Sequence, residues 1–163
     1  MKVLHSILLS RLAEVYANVS TETKSTTILL VEDNLGDIRL IQEVLKSTGS
    51  QCEIVSVRDG VAAMEYLHCV GEYVDAVRPN LVLLDLNLPK KDGREVLAEI
   101  KTDPQLQAIP VVVLTTSRNE EDIARSYELH VNCYIAKSRN LPELFKTVQV
   151  IESFWLDTVI LPS

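Results

Sequence analysis

Five short apolar runs, most of them ending at a polar or charged residue, constrain the fold of this chain more than any other feature. They lie at residues 27–31, 52–57, 81–84, 109–114 and 133–136. Runs of this length, rich in Val, Ile and Leu, are typical of strands that are covered on both faces. The stretches between them carry apolar residues at helical spacing, so strands and helices alternate along the chain.

This alternation predicts an α/β fold built from five βα units. Short connections and right-handed crossovers place the strands in one parallel sheet with helices on both faces. We expect the flavodoxin-like (βα)₅ arrangement, a doubly wound parallel sheet with strand order 2-1-3-4-5. In such a sheet the carboxyl ends of all strands lie along one edge, which is where ligands bind.

Length and composition narrow the class of protein. The chain has 163 residues, 47% of them hydrophobic, which is enough for one domain with a substantial core. Its net charge of −7 argues against a nucleic-acid partner, because phosphate binding needs a basic face. No apolar run approaches the length of a membrane span. The three cysteines are odd in number and fall within predicted strands or helices, which favours core thiols and a reducing, cytoplasmic location.

We expect three segments along the chain. Residues 1–25 are an N-terminal extension that is either disordered or helical, because Leu4, Leu8, Leu12 and Val15 share one helical face. Residues 26–149 form the α/β domain. Residues 150–163 form the end of the last helix and a C-terminal tail.

The polar residues at the strand ends are the candidate functional residues. Glu32 and Asp33 follow the first run, Asp85 follows the third, Thr115 follows the fourth and Lys137 follows the fifth. Although they are far apart in the sequence, these side chains should converge at the carboxyl edge of the sheet. Clustered carboxylates repel one another, and a hard cation such as Mg²⁺ relieves that repulsion.

This set contains the groups needed to hold a divalent cation and a phosphoryl group. Asp85 can act as a nucleophile that forms an aspartyl-phosphate. Thr115 can donate a hydrogen bond to a phosphoryl oxygen, and Lys137 can place a positive charge beside another. Each residue alone has a plainer interpretation as a turn residue, helix cap or surface charge, so the joint position carries the prediction. Gly93, in the turn after Asp85, is expected to adopt a φ that other residues resist.

The last helix has apolar residues on two sides. One set is expected to face the sheet: Leu144, Phe145, Val148, Ile151 and Trp155. A second set is surplus to that face: Val150, Phe154, Val159 and Ile160. Because surplus aromatic surface usually marks a protein interface, we predict a homodimer through the last helix and the tail. The alternative is a tail that folds back on its own domain.

Several motifs, taken together, resemble the receiver domain of two-component response regulators. They are Val31-Glu32-Asp33, Leu84-Asp85-Leu86-Asn87-Leu88-Pro89, Asp92-Gly93, Leu114-Thr115 and Tyr134-Ile135-Ala136-Lys137. The resemblance implies that Asp85 is the phosphoryl acceptor. It implies that Asp33 and Asp85 bind Mg²⁺ together with the backbone carbonyl of Asn87, while Glu32 reaches the metal through water. It also implies a switch pair, in which Thr115 is drawn toward the phosphoryl group and Tyr134 rotates inward behind it.

A narrower resemblance links the chain to the small response regulators of cyanobacterial phytochromes. It rests on residues 33–43, residues 86–97 and the ending Phe154-Trp155-Leu156 with Leu161-Pro162. It implies that the phosphoryl donor is a phosphohistidine on a light-sensing histidine kinase. Two departures from the family bear on the site. Ser138 stands after Lys137 where proline is usual, which affects the placement of Lys137. Thr116 stands where a small residue is usual, which affects access to Asp85.

Other functions use parts of the same pattern. A phosphatase of the haloacid dehalogenase type needs a second Asp two residues after the nucleophile, where this chain has Asn87. A flavin-binding carrier needs a Ser/Thr/Gly-rich phosphate loop, and Glu32 and Asp33 would repel the phosphate. A receiver-shaped adaptor that works without phosphate has little reason to keep the site residues together. We therefore predict a phospho-acceptor signalling protein rather than an enzyme, with phosphoryl transfer directed only at itself.

Overall fold

The computed structural model describes residues 25–47 and 51–162, so the predicted N-terminal extension lies outside the described residues except for Ser25. The described residues form five strands and five α-helices in strict alternation. These are β1 (Thr26–Val31), α1 (Leu35–Ser47), β2 (Cys52–Val57), α2 (Gly60–Leu67), β3 (Leu81–Leu84), α3 (Gly93–Thr102), β4 (Val111–Thr115), α4 (Glu120–Glu128), β5 (Cys133–Ala136) and α5 (Leu141–Glu152). A π-helical turn, Ser153–Thr158, continues α5.

The strands form one parallel sheet in the order β2-β1-β3-β4-β5, which confirms the predicted flavodoxin-like topology. The register pairs Val31 of β1 with Leu84 of β3, and Thr115 of β4 with Ala136 of β5. Residues that follow these positions therefore leave neighbouring strands at a similar level of the sheet. The alignment brings the polar strand ends to one edge.

Apolar side chains cover both faces of the sheet. Leu29 and Val31 belong to a buried cluster that includes residues of α2 and α3. Ile28 and Leu30, which point to the other face, belong to a second cluster that includes residues of α1 and α5 and the Trp155 side chain. Alternate residues of one strand enter different clusters, which explains why the strands read as continuous apolar runs.

Side-chain caps fix the start of the helices that follow the strand ends. Asn34 Oδ1 accepts hydrogen bonds from the backbone N–H groups of Gly36 and Asp37 at the start of α1. Asp92 and Glu95 form a reciprocal capping box at the start of α3. Such caps satisfy N–H groups that have no partner within the helix, and they also fix the angle at which the chain leaves the strand.

Two boundaries differ from the sequence prediction. The fourth strand begins at Val111 rather than at residue 109, because Pro110 has no N–H group to donate to the ladder. Phe145 was expected to face the sheet, but it is 38% exposed, whereas Leu144 and Val148 are buried. Phe145 follows Leu144 by about 100° around the helix axis, which carries it to the edge of the buried face.

The C-terminal tail folds back on its own domain in part. Val159 and Leu161 pack against the cluster that contains Trp155, and Asn80 Nδ2 donates a hydrogen bond to the carbonyl of Pro162 at 3.0 Å. Val150, Phe154 and Ile160 remain exposed. Val159 is therefore partly buried against the core and does not belong to the surplus surface predicted for it. Among the described residues, no helix combines the length and apolar character that crossing a membrane requires.

Candidate functional site

The strand ends meet as the topology predicts. The backbone N–H of Asp85 donates to the carbonyl of Val31 at 2.9 Å, one residue beyond the end of β3. The backbone N–H of Lys137 donates to the carbonyl of Thr115 at 2.6 Å, one residue beyond the end of β5. Each contact extends the sheet ladder by one step. Asp85 is thereby held beside the β1 end that carries Glu32 and Asp33, and Lys137 beside Thr115.

The Lys137 ammonium joins the acidic groups of the site. Its Nζ donates to Glu32 Oε2 at 2.6 Å, to Asp37 Oδ2 at 2.8 Å and to Asp85 Oδ2 at 3.1 Å. The Lys137 side chain is only 2% exposed and that of Asp85 only 6%. A buried ammonium among buried carboxylates needs close pairing, since an unpaired charge there is costly.

These contacts shift the acid–base properties of the site. Burial would lower the pKa of Lys137, but the hydrogen bonds that it donates to Asp37 and Glu32, together with the charges of Glu32 and Asp85, outweigh burial and raise the pKa well above its usual range. Lys137 is therefore a fixed positive charge at any ordinary pH. Burial raises the pKa of Glu32, and the contacts from Lys137 and from the Asn34 N–H oppose that rise.

The acids can hold a divalent cation. Carboxylate oxygens of Glu32, Asp33 and Asp85 lie within 4.8 Å of one another. Glu32 and Asp85 are buried, while Asp33 is exposed and leaves the group open to solvent. Clustered carboxylate oxygens with an open side suit a hard cation such as Mg²⁺, which keeps part of its water shell. The residues present therefore fit the predicted metal.

Asn87 lies beside this group. Its backbone N–H donates to Asp85 Oδ1 at 3.1 Å, so both carboxylate oxygens of Asp85 have a hydrogen-bond donor. Its own side chain is exposed. The use of its backbone carbonyl as a metal ligand stays a prediction.

Gly93 is required by the site for a reason that differs from the predicted one. Among the described glycines, only Gly71 has a positive φ, and in the turn after Asp85 it is Lys90 that adopts one, at 65°. A Cβ on Gly93 would lie 2.1 Å from the carbonyl oxygen of Asp85 and 2.6 Å from the Cα of Leu86. The start of α3 thus packs directly against the backbone of Asp85, and only glycine fits there.

Thr115 and Tyr134 are linked through Ser117. Thr115 is fully buried, and its Oγ1 accepts a hydrogen bond from the Ser117 N–H at 3.4 Å. The Tyr134 hydroxyl donates to the carbonyl of Ser117 at 3.1 Å. Burial raises the pKa of Tyr134. The two predicted switch residues therefore hold the same loop residue, and the inward rotation of Tyr134 stays a prediction.

The same loop is tied to α3 and α4 by Arg94. Its Nε and Nη2 donate to both carboxylate oxygens of Asp122, at 2.7 Å and 2.6 Å, and its Nη1 donates to Asp92 Oδ2 at 2.9 Å. Asp122 also accepts a hydrogen bond from the Ser117 hydroxyl. A bidentate guanidinium–carboxylate pair fixes both distance and angle, so the starts of α3 and α4 are held together.

Sequence reasoning missed Asp37, Arg94 and Asp122. Asp37 lies in the first turn of α1, where an acid is common because it favours the helix start. Its contact with Lys137 depends on the exact rotation of α1, which the sequence pattern does not give. The departure at Ser138 does not displace Lys137, which reaches the site with no cis peptide bond among the described residues. Thr116 is exposed to solvent.

The chain is similar to known signalling proteins. A family model described as the response regulator receiver domain matches residues 28–149. The response regulator Rcp1 of Synechocystis sp. is 67% identical over 136 residues, which cover 83% of this chain and 92% of that protein. The probable methanogenesis regulatory protein FilR2 of Methanothrix harundinacea is 46% identical over 129 residues, covering 79% of this chain and 83% of that protein.

Two solved structures resemble this one over the same region. The Mn²⁺-bound form of the response regulator Rcp1 matches with a TM-score of 0.83 at 66% identity, covering 85% of this chain and 99% of that chain. The phosphorylated cyanobacterial phytochrome response regulator RcpA matches with a TM-score of 0.83 at 65% identity and the same coverage of both chains, 85% and 99%.

Proposed function

Because this chain belongs to the response regulator receiver family, we propose that it accepts a phosphoryl group on Asp85 from a phosphohistidine of a sensor histidine kinase. One observation carries the proposal. The nearly buried Asp85 carboxylate is bound by the Lys137 ammonium at 3.1 Å, and it shares an acidic group with Glu32 and Asp33 whose oxygens lie within 4.8 Å of one another. A nucleophile, a fixed cation and a cation-binding group are thus present at one point.

Asp85, Lys137 and Thr115 have different roles in the proposed phosphoryl transfer. A carboxylate oxygen of Asp85 attacks phosphorus, the bond from phosphorus to the donor nitrogen breaks, and its electron pair stays on the imidazole. The hydrogen bond that Lys137 donates to Asp85 is replaced by one to a phosphoryl oxygen, and the Thr115 hydroxyl donates a hydrogen bond to another phosphoryl oxygen. Catalysis consists of positioning and charge stabilisation, since the Asp85 side chain is held beside the fixed charge of Lys137.

Glu32, Asp33 and Asp85, with the backbone carbonyl of Asn87, are the groups that would hold Mg²⁺. The ion, when bound, neutralises negative charge on the phosphoryl oxygens. Support for a divalent cation comes from the oxygen-rich, partly open group of acids and from the Mn²⁺ carried by the related Rcp1.

The output is a change of partner surface. Thr115 and Tyr134 both bind Ser117, so movement of Thr115 toward a phosphoryl group changes the loop that Tyr134 contacts. The loop continues into α4, which presents an exposed, mostly polar face. A receiver that signals by altered protein contacts would use this side of the molecule.

The proposed donor is a kinase of the phytochrome type, because the related RcpA is a cyanobacterial phytochrome response regulator. A cytoplasmic location suits that partner. Cys52, Cys69 and Cys133 are free thiols, as expected in a reducing compartment.

We also propose that the protein forms a homodimer through α5 and the tail. Val150, Phe154 and Ile160 expose apolar surface on this side of the domain, away from the residues that fold back. Val150 and Phe154 are four residues apart on α5 and its π-helical extension. Exposed apolar residues that are grouped mark a contact surface more often than scattered ones do.

Phosphorylation by a small-molecule donor tests the main proposal. With acetyl phosphate and Mg²⁺, mass spectrometry of the intact protein should show one added phosphoryl group. Asp85→Asn should remove it, since an amide oxygen is a poor nucleophile, while Asp75→Asn, a change at an exposed acid, should leave it in place. Removing the cation should slow the labelling strongly. Labelling that persists in Asp85→Asn would refute the proposal, and a wild-type chain that takes no phosphoryl group would favour the adaptor that works without phosphate.

A further inference from the structure

Asp37 is held against Lys137 by the way α1 begins. Its backbone N–H donates to Asn34 Oδ1 at 3.1 Å, which fixes the first turn of the helix. Its carboxylate Oδ2 lies 2.8 Å from Lys137 Nζ. The Asp37 side chain is 22% exposed, so it closes the solvent side of an ammonium that is otherwise buried.

The ammonium has three protons, and each faces a different carboxylate. Two of the acceptors, Glu32 and Asp85, belong to the group of acids that can hold a cation. Asp37 accepts the third hydrogen bond but is outside that group. The need for a metal site therefore does not explain the contact with Asp37. Within the part of the chain that the structure describes, the ion-pair partner of the Asp37 carboxylate is Lys137.

Asp37 is also the acceptor that the reaction leaves unchanged. Asp85 becomes an acyl phosphate, and one of its oxygens then bridges to phosphorus. Glu32 is a candidate cation ligand. We infer that Asp37 is a positioning residue, which keeps the Lys137 ammonium in place while that ammonium exchanges its contact with Asp85 for one with the phosphoryl group. The inference rests on the proposed function of Asp85.

The contact with Asp37 lowers the entropic cost of placing the Lys137 ammonium during the reaction. A lysine side chain has a long flexible stem and loses much rotational freedom when its ammonium is fixed at one point. Asp37 holds that ammonium before the phosphoryl donor arrives, so the transition state does not have to order it. Loss of one charge-assisted hydrogen bond of this kind should slow phosphorylation by about ten-fold.

Three variants separate this role from a simple effect of charge. Asp37→Ala removes the charge and the acceptor. Asp37→Asn removes the charge but keeps a neutral acceptor oxygen of the same shape. Glu43→Ala removes an equal charge from an exposed position on the same helix, without touching Lys137. If Asp37 positions Lys137, the rate of phosphorylation should fall in the order wild type, Asp37→Asn, Asp37→Ala. Glu43→Ala should react at a rate close to that of the wild type.

The experiment measures the rate of phosphorylation by acetyl phosphate in saturating Mg²⁺, together with the ¹⁵N resonance of the Lys137 ammonium in the metal-free protein. That resonance is assigned by its loss in Lys137→Met. Three hydrogen bonds should protect the ammonium protons from exchange, and the signal should broaden in Asp37→Ala, less in Asp37→Asn and not in Glu43→Ala. A general loss of stability would not produce this order in folded protein.

Three results would overturn the inference. The first is an equal acceleration in both Asp37 variants, which would mean that Asp37 merely repels the anionic donor. The second is an unchanged rate in Asp37→Ala. The third is a Lys137 signal that remains sharp in Asp37→Ala. If instead the wild-type protein takes no phosphoryl group, the proposed function itself fails, which is a separate and recognisable result.

Discussion

Among the described residues, Lys137 is the one buried cation, and it faces the carboxylates of Glu32, Asp37 and Asp85. Its removal leaves buried negative charges without a counter-charge. We expect Lys137→Met to lower the free energy of unfolding of the metal-free protein by about 3–5 kcal/mol, the usual cost of breaking a buried pair. Urea unfolding in the presence of a chelator measures this loss.

Mg²⁺ should then stabilise the Lys137→Met variant more than it stabilises the wild type, because the cation supplies the missing positive charge and binds only the folded chain. Lys46→Met, a change at an exposed lysine of α1, is the matched control and should behave as wild type. Equal stabilisation of both proteins by Mg²⁺ would show that the cation and the ammonium do not share the same acids.

Gly93 gives a second prediction at this scale. A methyl group there would overlap the carbonyl oxygen of Asp85, so Gly93→Ala must displace either the start of α3 or Asp85 itself. We expect lower stability and much slower phosphorylation. Gly71→Ala is the comparison, since Gly71 has a positive φ but open space around it; it should cost stability with no effect on phosphorylation. A normal rate in Gly93→Ala would mean that the contact does not position Asp85.

At the level of helices and strands, sequence patterns predicted the features that depend on neighbouring residues along the chain, such as where each strand ends. The first, third and fifth strands end one residue before Glu32, Asp85 and Lys137, and the fourth ends at Thr115, so a parallel sheet was enough to bring these residues together. The contacts between helices could not be predicted in this way. Whether Arg94 meets Asp122 depends on how α3 and α4 are rotated, and this is set by packing of the whole domain.

The Arg94–Asp122 bridge should make the packing of α3 and α4 depend on pH. The hydrogen bonds from Arg94 and from Ser117 lower the pKa of Asp122 below its usual value of about 3.9. A depressed pKa means that the carboxylate stabilises the fold fully above the unfolded-state value, and that this contribution is lost as pH falls through the folded-state value. Asp122→Asn should therefore be less stable than wild type at pH 7, and the difference should shrink in acid.

Unfolding by urea at a series of pH values measures that difference. Glu121→Gln, which removes a neighbouring exposed acid from the first turn of α4, controls for the general interaction of acids with the helix start. A gap between wild type and Asp122→Asn that stays constant down to strongly acidic pH would contradict an electrostatic role for the bridge.

For the whole molecule, α5 and its π-helical extension supply side chains to the core and also present the proposed dimer contact, and these two roles can be tested separately. Ile151 and Trp155 belong to the core, and the tail beyond them is bound to Asn80. A truncation after residue 149 would thus damage the fold and could not test dimerisation. The interface must be tested with surface residues alone, of which Val150 is exposed and not in contact with the buried cluster.

Val150→Glu should lower the dimer fraction in sedimentation velocity without changing the unfolding of the monomer by more than about 0.5 kcal/mol. Val74→Glu places the same charge at a similarly exposed apolar residue outside α5 and the tail, and it should leave the association unchanged. Trp155→Ala should do the reverse of Val150→Glu, costing about 3–5 kcal/mol of stability because a large side chain, only 9% exposed, leaves the core. If Val150→Glu and wild type sediment alike over a wide range of concentrations, α5 does not form the dimer contact.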